Sequence, residues 1–502
     1  MINLASLLAP YLPLALPADA GNLQIADLTQ DSREVRPGSL FVALRGATHH
    51  GLEFARQACE QGAVAIVWEP AAGVEAPQLP ANVAYVAVPD LSARAGLIAD
   101  RFFGEPSAQL RICAFTGTNG KTTCAFLLAQ CLERLGRSAA YIGTIGWGRI
   151  GALRSLAHTT PDAISVHRML AQLLADGVRD VGIEVSSHAL DQHRIAGVRL
   201  HAAAFTNLTH DHLDYHRTMF AYGEAKGRLF SFPGVKQCIV NVGDDFGRHL
   251  AERLRDDARF LAAWVDTDGR TDAWSQARHL RARRVSCETR GLTMEFDGTF
   301  GDVALQARLI GRFNAENLAV VLGCLLSLGV GAPQAAAALG ACEPPPGRME
   351  IVPSAGEGKP LAVVDYAHTP DALAKALGAL REHCAGELWC VFGCGGDRDP
   401  AKRPMMGAVA DTLADRIIVT DDNPRSENPQ AITRQIAAAF TRHSPQVIGD
   451  RAQAIATALR AAGAADVVLI AGKGHEDYQI YGATRREFSD RSEAMRYLRD
   501  AA

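Results

Sequence analysis

The run Gly117-Thr-Asn-Gly-Lys-Thr122 carries the clearest chemistry in the chain, because it joins an apolar strand at 110–115 to a helical pattern at 124–135. Glycines at such a junction let the backbone turn tightly and aim its N–H groups inward, a lysine supplies charge for β- and γ-phosphates, and a threonine supplies a hydroxyl for magnesium. Gly117, Thr118, Asn119, Gly120, Lys121, Thr122 and Thr123 are therefore read as a nucleoside triphosphate loop. It is a short variant, with Phe115 where the longer pattern has glycine. A plain glycine-rich turn with an exposed lysine is the competing reading. Further on, Glu184 closes an apolar strand, and a carboxylate at a strand end near such a loop suits a phosphate-bound Mg2+ or a salt-bridged terminus. The segment Thr206-Asn-Leu-Thr-His-Asp-His-Leu-Asp-Tyr-His216 then concentrates histidine and aspartate, which points to metal binding or acid–base work. Zinc accepts several imidazoles, but phosphate chemistry favours magnesium with oxygen ligands. Lys226 alone reads as a solvated helix lysine.

Those side chains need a rigid frame, and the pattern of the chain supplies one. Short β-prone runs at 40–44, 63–67 and 83–88 suggest a small α/β domain, broken by Gly104-Glu-Pro-Ser-Ala-Gln109. Strands expected at 140–143, 181–185, 202–206 and 238–241 alternate with amphipathic helices, the signature of a mainly parallel sheet. Alternating residues over 281–309 suggest added antiparallel strands. Pro344-Pro-Pro-Gly347 is the clearest linker, since consecutive prolines continue neither a helix nor a central strand. Beyond it, strands at 361–365, 388–392, 416–420 and 467–471 each end in a polar or glycine-rich loop, where open α/β sheets place their ligands. The fold class is thus α/β in three domains, 1–106, 107–343 and 344–502, with a P-loop-type central sheet and a Rossmann-like last domain.

Composition narrows the class. A chain of 502 residues with 48% apolar and 21% charged residues is an ordinary globular protein, and a formal charge of −4 gives no footing for nucleic acid. The start, Met1-Ile-Asn-Leu-Ala-Ser-Leu-Leu-Ala-Pro10, lacks a basic region and a long apolar run, so neither export nor membrane insertion is expected. Eleven cysteines without a Cys-x-x-Cys pair fit a reducing cytoplasm better than a disulfide framework or a zinc ribbon.

Taken in order, Gly117-Thr-Asn-Gly-Lys-Thr122, Glu184-Val-Ser-Ser-His188, His210-Asp-His-Leu-Asp214, Gly311-Arg-Phe-Asn-Ala-Glu-Asn317, Gly347-Arg-Met-Glu350 and Asp365-Tyr-Ala-His-Thr-Pro370 resemble the motifs of the Mur ligases. Asp31-Ser-Arg33 and Gly38-Ser-Leu-Phe-Val-Ala-Leu-Arg-Gly46 resemble that family's uridine-nucleotide end, so the likeness covers nearly the whole chain. The family forms amide bonds at the expense of ATP in peptidoglycan precursor synthesis. Its members have a UDP-substrate domain, an ATPase domain and a mobile carboxyl-terminal Rossmann-like domain. Gly393-Cys-Gly-Gly-Asp-Arg398, Asp422-Asn-Pro-Arg425 and Gly472-Lys-Gly-His-Glu476 resemble the branch that adds meso-diaminopimelate to UDP-N-acetylmuramoyl-L-alanyl-D-glutamate. Diaminopimelate differs from L-lysine by a carboxylate, which an arginine fork grips through parallel hydrogen bonds. Arg425 is expected to select the diacid, with Arg398, Asp422, Asn423, Pro424, Gly472 and Glu476 completing its site.

The resemblance implies further roles. Lys121, Glu184, His212 and Lys226 would be catalytic, with one Mg2+ on Thr122 and Glu184 and a second on His212 and a carbamylated Lys226, the carbamate coming from CO2. ATP would be held by the 117–123 loop with Asn314, Asn317, Arg348, Asp365 and His368. Arg348 and Asp365 lie across the proline hinge, so closure would be a condition for chemistry. The UDP-substrate would meet Gln30, Ser32, Ala47, Thr48, His49, His158, Thr159, Thr160, Ser186, Gln192 and Arg194, of which Gln30 and His158 depart from the residue types common in the family. Partners are then small molecules, and a monomer is expected. The rivals within the ligase class are an L-lysine-adding ligase and a folylpolyglutamate synthetase, against which Arg425 and the amino-terminal UDP-like domain argue together. A P-loop ATPase that performs no ligation would need neither the Asp-Asn-Pro-Arg motif nor a third domain with substrate loops. Against a non-catalytic scaffold stand the polar residues at strand ends.

Overall fold

The computed structural model describes residues 2–12, 16–46, 49–71, 73–74, 78, 80, 82–156, 158–266, 272–288, 291–354 and 358–499. They form two compact units, Met1–Leu261 and Ala262–Ala502. The expected α/β class with largely parallel sheets is what is found.

In the first unit Asp27–Thr29, Ser39–Ala43, Ala63–Trp68 and Ala84–Ala87 pair in that order as a parallel sheet. Alternate residues of its strands enter opposite cores, Leu40 and Val42 on one side and Phe41 and Ala43 on the other, as the two-residue period of a strand requires. A second sheet runs in the order Gln237–Asn241, Ala202–Phe205, Arg111–Thr116, Asp180–Glu184, Ala139–Gly143 and Gly146–Gly148, parallel except for the last strand. Asp180–Glu184 and Ala139–Gly143 are buried along their whole length, as strands covered on both faces must be. The helix Lys121–Arg134 lies close against this sheet because Gly182 has no side chain there; a Cβ at that position would sit 2.5 Å from the carbonyl oxygen of Ala125. The sequence places the start of this helix at Cys124, whereas it begins at Lys121. Gly120, at φ +85°, caps it in a conformation that side chains disfavour, so Lys121 and Thr122 fall in the first turn.

In the second unit the strand Phe260–Val265 pairs in parallel, through Ala262–Val265, with His279–Glu288, which continues antiparallel into Gly291–Gly298 and Val303–Ala307. The antiparallel addition expected over 281–309 is therefore present. A second sheet follows in the order Glu350–Ile351, Leu361–Asp365, Val467–Ala471, Leu388–Phe392, Arg416–Val419 and Gln446–Val447, all parallel after the first. Its two faces carry separate apolar cores, around Val363, Leu377 and Phe392 on one side and Val364, Ile455 and Ile470 on the other. Beside these strands Arg451 and Asp490 are fully buried, with Arg451 Nε and Nη2 donating to the two carboxylate oxygens at 2.6 and 2.7 Å. Removing either partner would strand a charge, at a cost of about 3–5 kcal/mol. The pair anchors the helices Arg451–Ala461 and Asp490–Arg499 beneath the loops at the carboxyl ends of the sheet.

Candidate active site

The loop that follows Arg111–Thr116 is shaped by glycine. Gly117 has φ +153°, and a Cβ there would overlap Thr206 Oγ1 at 1.9 Å. Thr206 Oγ1 itself donates to the carbonyl of Asn119 at 2.6 Å, and the backbone of Thr118 donates to the carbonyl of Asn207 at 2.8 Å. The 206–209 segment therefore braces the loop from the neighbouring strand end. Lys121 Nζ lies across the loop, donating to the carbonyls of Gly117 and Thr118 at 2.9 and 2.8 Å. Its charge thus sits where loop and helix N-terminus converge, the place an anion would occupy.

Thr122 is buried and its hydroxyl donates to Glu184 Oε2 at 2.9 Å. Glu184 is fully buried and also accepts from the Tyr141 hydroxyl and from the backbone and hydroxyl of Thr144, at 2.8 and 3.2 Å. A carboxylate beside a hydroxyl at the foot of a phosphate loop is a hard oxygen donor set, which fits Mg2+. Gly143 permits it, since a Cβ there would stand 2.1 Å from Glu184 Oε1.

Lys226 is not the solvated lysine that its sequence position suggests. It is 1% exposed, its Nζ donates to the Gly117 carbonyl at 2.7 Å, and it lies 4.3 Å from the ring centroid of Tyr222. Burial first, and then the charge of Lys121, hold its amine well below the usual lysine range. His212 stands in a ring cluster with His188 at 4.9 Å and Tyr222 at 6.0 Å, in the left-handed backbone region at φ +51°. Burial, with the neighbouring imidazoles next, lowers the pKa of His188, and burial lowers that of His216. Among the described residues no group of three or more His, Cys, Asp or Glu is placed to hold a metal ion. A second magnesium would fit His212 and Lys226 only with an oxygen-bearing group on the lysine.

A second set of predicted residues converges beside Glu184. Thr160 donates to the Glu184 carbonyl at 2.9 Å and accepts from the backbone of Ser186 at 3.2 Å. Arg194 donates to the Thr160 carbonyl at 2.9 Å and to Gln192 Oε1 at 2.7 Å. Burial lowers the pKa of Arg194. Thr159 Oγ1 accepts from Thr144 at 3.1 Å, while His158 is exposed. Gln30 and Ser32 instead line a cleft of about 530 Å3 with Phe54, Gln57, Asp162 and Arg168, and Ser32 donates to Gln57 at 2.8 Å. His49 lies outside that cleft lining, in an exposed pair with Glu53 at 3.0 Å. Ala47 and Thr48 lie outside the described residues.

In the second unit Asn314 and Asn317 are buried on one face of the helix Phe313–Ser327. Asn317 donates to Asn314 at 2.9 Å, and Asn314 donates to the Ile310 carbonyl at 2.8 Å, as a residue closing a helix start does. Asp365 accepts from the backbones of Met349 and Ala367, at 2.7 and 2.9 Å, and burial raises its pKa. Arg348 lies over the Tyr366 ring at 4.8 Å, which in turn stands 4.7 Å from His368 and 5.2 Å from His475. Burial lowers the pKa of both histidines, that of His475 to about 4. His368 is oriented by the Tyr366 carbonyl at 2.8 Å. Arg348, Asp365 and His368 are thus brought together, and Tyr366 and His475 are members of the group that sequence reasoning did not assign.

The loops that follow Leu388–Phe392, Arg416–Val419 and Val467–Ala471 meet as the sheet topology requires. Arg425 sits at φ +52°, docked on the hairpin Tyr478–Tyr481/Thr484–Glu487 by its N–H to the Ile480 carbonyl at 3.0 Å and by its carbonyl, which accepts from Gly482 at 2.7 Å. Its Nη1 donates to the Gly396 carbonyl at 2.8 Å and toward the Asn423 carbonyl at 3.5 Å, which, among the described residues, leaves Nε and Nη2 for a ligand. Gly396 must be glycine, because a Cβ there would lie 1.9 Å from the Pro424 carbonyl oxygen. Asn423 donates to Glu476 at 2.9 Å, and Gly472, at φ +118°, keeps space beside Asp422. Arg398 is exposed and, among the described residues, hydrogen-bonds the Asp397 carbonyl at 3.3 Å. Buried Arg403 clamps Glu427 through both carboxylate oxygens at 2.8 and 2.9 Å and donates to the Gly395 carbonyl at 3.3 Å, tying the Gly393–Arg398 loop to the segment after Arg425.

The chain is similar to known proteins over nearly its whole length. Residues 24–103 match "Mur ligase family, catalytic domain", residues 115–325 match "Mur ligase middle domain", and residues 347–474 match "Mur ligase, glutamate ligase domain". A protein of Alkalilimnicola ehrlichii named UDP-N-acetylmuramoyl-L-alanyl-D-glutamate--2,6-diaminopimelate ligase is 45% identical over 505 residues, covering 99% of each chain. One of Xanthomonas campestris with the same name is 46% identical over 482 residues, covering 95% of each. A solved structure of a ligase of that name superposes with a TM-score of 0.72 at 33% identity, covering 99% of this chain and 98% of its own.

Proposed function

The chain belongs to the Mur ligase family, and from that premise we propose that it joins meso-diaminopimelate to the D-glutamate of UDP-N-acetylmuramoyl-L-alanyl-D-glutamate, consuming ATP, in peptidoglycan precursor synthesis. The observation that carries the choice of amino acid is the meeting of Arg425 with Asp422, Asn423 and Glu476 at the carboxyl ends of one sheet. Such a pocket offers a fork to a carboxylate and acceptors to an ammonium, which are the two groups at the far end of diaminopimelate.

A free carboxylate resists attack by an amine, so the γ-carboxylate of D-glutamate must first be activated. The carboxylate oxygen attacks the γ-phosphorus of ATP, ADP leaves, and an acyl phosphate results. Lys121 and the loop amides neutralise charge that moves onto the β–γ bridging oxygen. The neutral amine of diaminopimelate then attacks the acyl carbon, forming the C–N bond, and the tetrahedral intermediate collapses by breaking its C–O bond to phosphate, the amine proton being lost to the departing phosphate or solvent. Mg2+ held at Thr122 and Glu184, with a second ion at His212 and a carbamylated Lys226, would supply further neutralisation of the phosphate oxygens. Thr160, Ser186, Gln192 and Arg194, adjoining Glu184, are assigned to the substrate end that meets ATP. Gln30, Ser32 and the flanking Ala47, Thr48 and His49 are assigned to the uridine end. A nucleotide role for Asn314, Asn317, Arg348, Asp365 and His368 follows from the resemblance. The three domains are placed at 1–106, 107–343 and 344–502. A monomer in the cytoplasm is proposed, which eleven scattered cysteines with no Cys-x-x-Cys pair suit, and among the described residues no helix is long and apolar enough to cross a membrane.

Substrate whose D-glutamate γ-carboxylate carries heavy oxygen tests the activation step. The released phosphate is expected to contain one labelled oxygen by mass spectrometry. Unlabelled phosphate alongside amide product would rule out an acyl phosphate.

A further inference from the structure

Lys473 is a fully buried lysine that the proposed mechanism does not use. Its three N–H bonds are matched by three acceptors, Asn423 Oδ1 at 3.1 Å, Asp422 Oδ1 at 3.2 Å and Glu476 Oε2 at 3.4 Å. The Asn423 amide is thereby fixed in orientation. Its oxygen accepts from Lys473 and from the backbone of Ile480 at 3.0 Å, and its nitrogen donates to Glu476. Among the described residues Asp422 Oδ2 and Glu476 Oε1 have no protein donor, so one oxygen of each carboxylate stays available. Gly472 keeps the space beside Asp422 Oδ2 open, where a Cβ would stand at 3.5 Å. The other buried cation nearby, Arg451, is neutralised by Asp490.

We propose that Lys473 is a positioning residue that sets specificity: its ammonium locks Asp422, Asn423 and Glu476 into one acceptor face and holds that face at a single net negative charge, matched to the distal ammonium of the incoming diacid. This rests on the amino-acid site proposed above. The face is half of a zwitterion receptor, with Arg425 as the other half. Without Lys473 two carboxylates would face each other across Asn423. The doubled negative charge would repel the distal carboxylate of diaminopimelate and favour an amine that lacks it.

The test uses the full-length enzyme with Lys473→Met, which keeps the side chain up to its terminal nitrogen and removes its charge. KM and kcat are measured for meso-diaminopimelate, L-lysine, ATP and the UDP-substrate. KM for diaminopimelate should rise about 30- to 100-fold, as for loss of one partner of a buried hydrogen-bonded charge group. The preference for diaminopimelate over L-lysine should fall about tenfold or more, with the KM of ATP and of the UDP-substrate within about twofold of their starting values. Adding Glu476→Gln restores a single negative charge and should recover much of the lost preference. An unchanged preference, or KM values that rise together for all substrates, would overturn the proposal. Should Lys473→Met fail to fold, the double variant is read alone: a folded enzyme with the preference supports the proposal, and one without it overturns it. Failure of both to fold would make Lys473 a stability residue and equally overturn it. Arg425→Ala separates the two levels. If that variant also keeps its diaminopimelate KM, the amino-acid site itself is misplaced; if it loses affinity while Lys473→Met does not, only the role of Lys473 falls.

Discussion

Lys226→Ala is expected to lower kcat about 1,000-fold while the KM for ATP changes little, the pattern of a group whose interactions matter in the transition state rather than in binding. The argument begins with burial. A lysine that is 1% exposed, with no carboxylate among the described residues bonded to it and with Lys121 beside it, is held toward its neutral form. A neutral amine is the form that attacks CO2, making an N–C bond and losing a proton to become a carbamate. That product replaces a cation with oxygens of the kind magnesium prefers. Acetate or formate added to Lys226→Ala should restore part of the activity by placing a carboxylate in the vacated space, and depletion of dissolved CO2 should slow the native enzyme. Full activity of Lys226→Ala without any added acid would remove the carbamate from the account.

Arg425→Ala is expected to reduce kcat/KM for meso-diaminopimelate about 100- to 1,000-fold, since it removes a charge-assisted, two-pronged hydrogen bond and leaves a carboxylate unpaired. The KM for ATP should be unaffected, and the weak use of L-lysine should be little changed, because L-lysine has no distal carboxylate to lose. Steady-state kinetics with both amines check this. Equal losses for both would mean that Arg425 supports the loop through its bond to the Gly396 carbonyl rather than gripping the diacid.

Most central strands were legible as short apolar runs, and the phosphate loop because its chemistry is local, whereas Asp27–Thr29, Gly146–Gly148, Phe260–Val265 and the Tyr478–Glu487 hairpin were not anticipated. What the sequence did not disclose depends on side chains that meet only after folding. Lys226 reads as solvated from its neighbours in the chain, and only the approach of the Gly117 loop buries it. Tyr141 lies within, and Thr144 just beyond, the strand Ala139–Gly143 beside that of Glu184, and their support of its carboxylate follows from strand order, which no local pattern specifies. Lys473 stands inside a recognisable Gly-Lys-Gly-His-Glu stretch, but its partners Asp422 and Asn423 come from another loop. Arg425 adopts a left-handed conformation that its residue type disfavours, imposed by the Tyr478–Glu487 hairpin. His49 and Arg398, named from resemblance, are exposed, and among the described residues their side chains bond to near neighbours in sequence, Glu53 and Asp397, rather than to the rest of their proposed sites.

The most direct measurement is phosphate release from ATP and Mg2+ with UDP-N-acetylmuramoyl-L-alanyl-D-glutamate, comparing meso-diaminopimelate, L-lysine and no amine, with the products identified by mass. Release that depends strongly on meso-diaminopimelate, matched by equal formation of the UDP-linked tripeptide, is the predicted result. Equal release with L-lysine would contradict the selectivity assigned to Arg425, and release indifferent to any amine would contradict ligation itself.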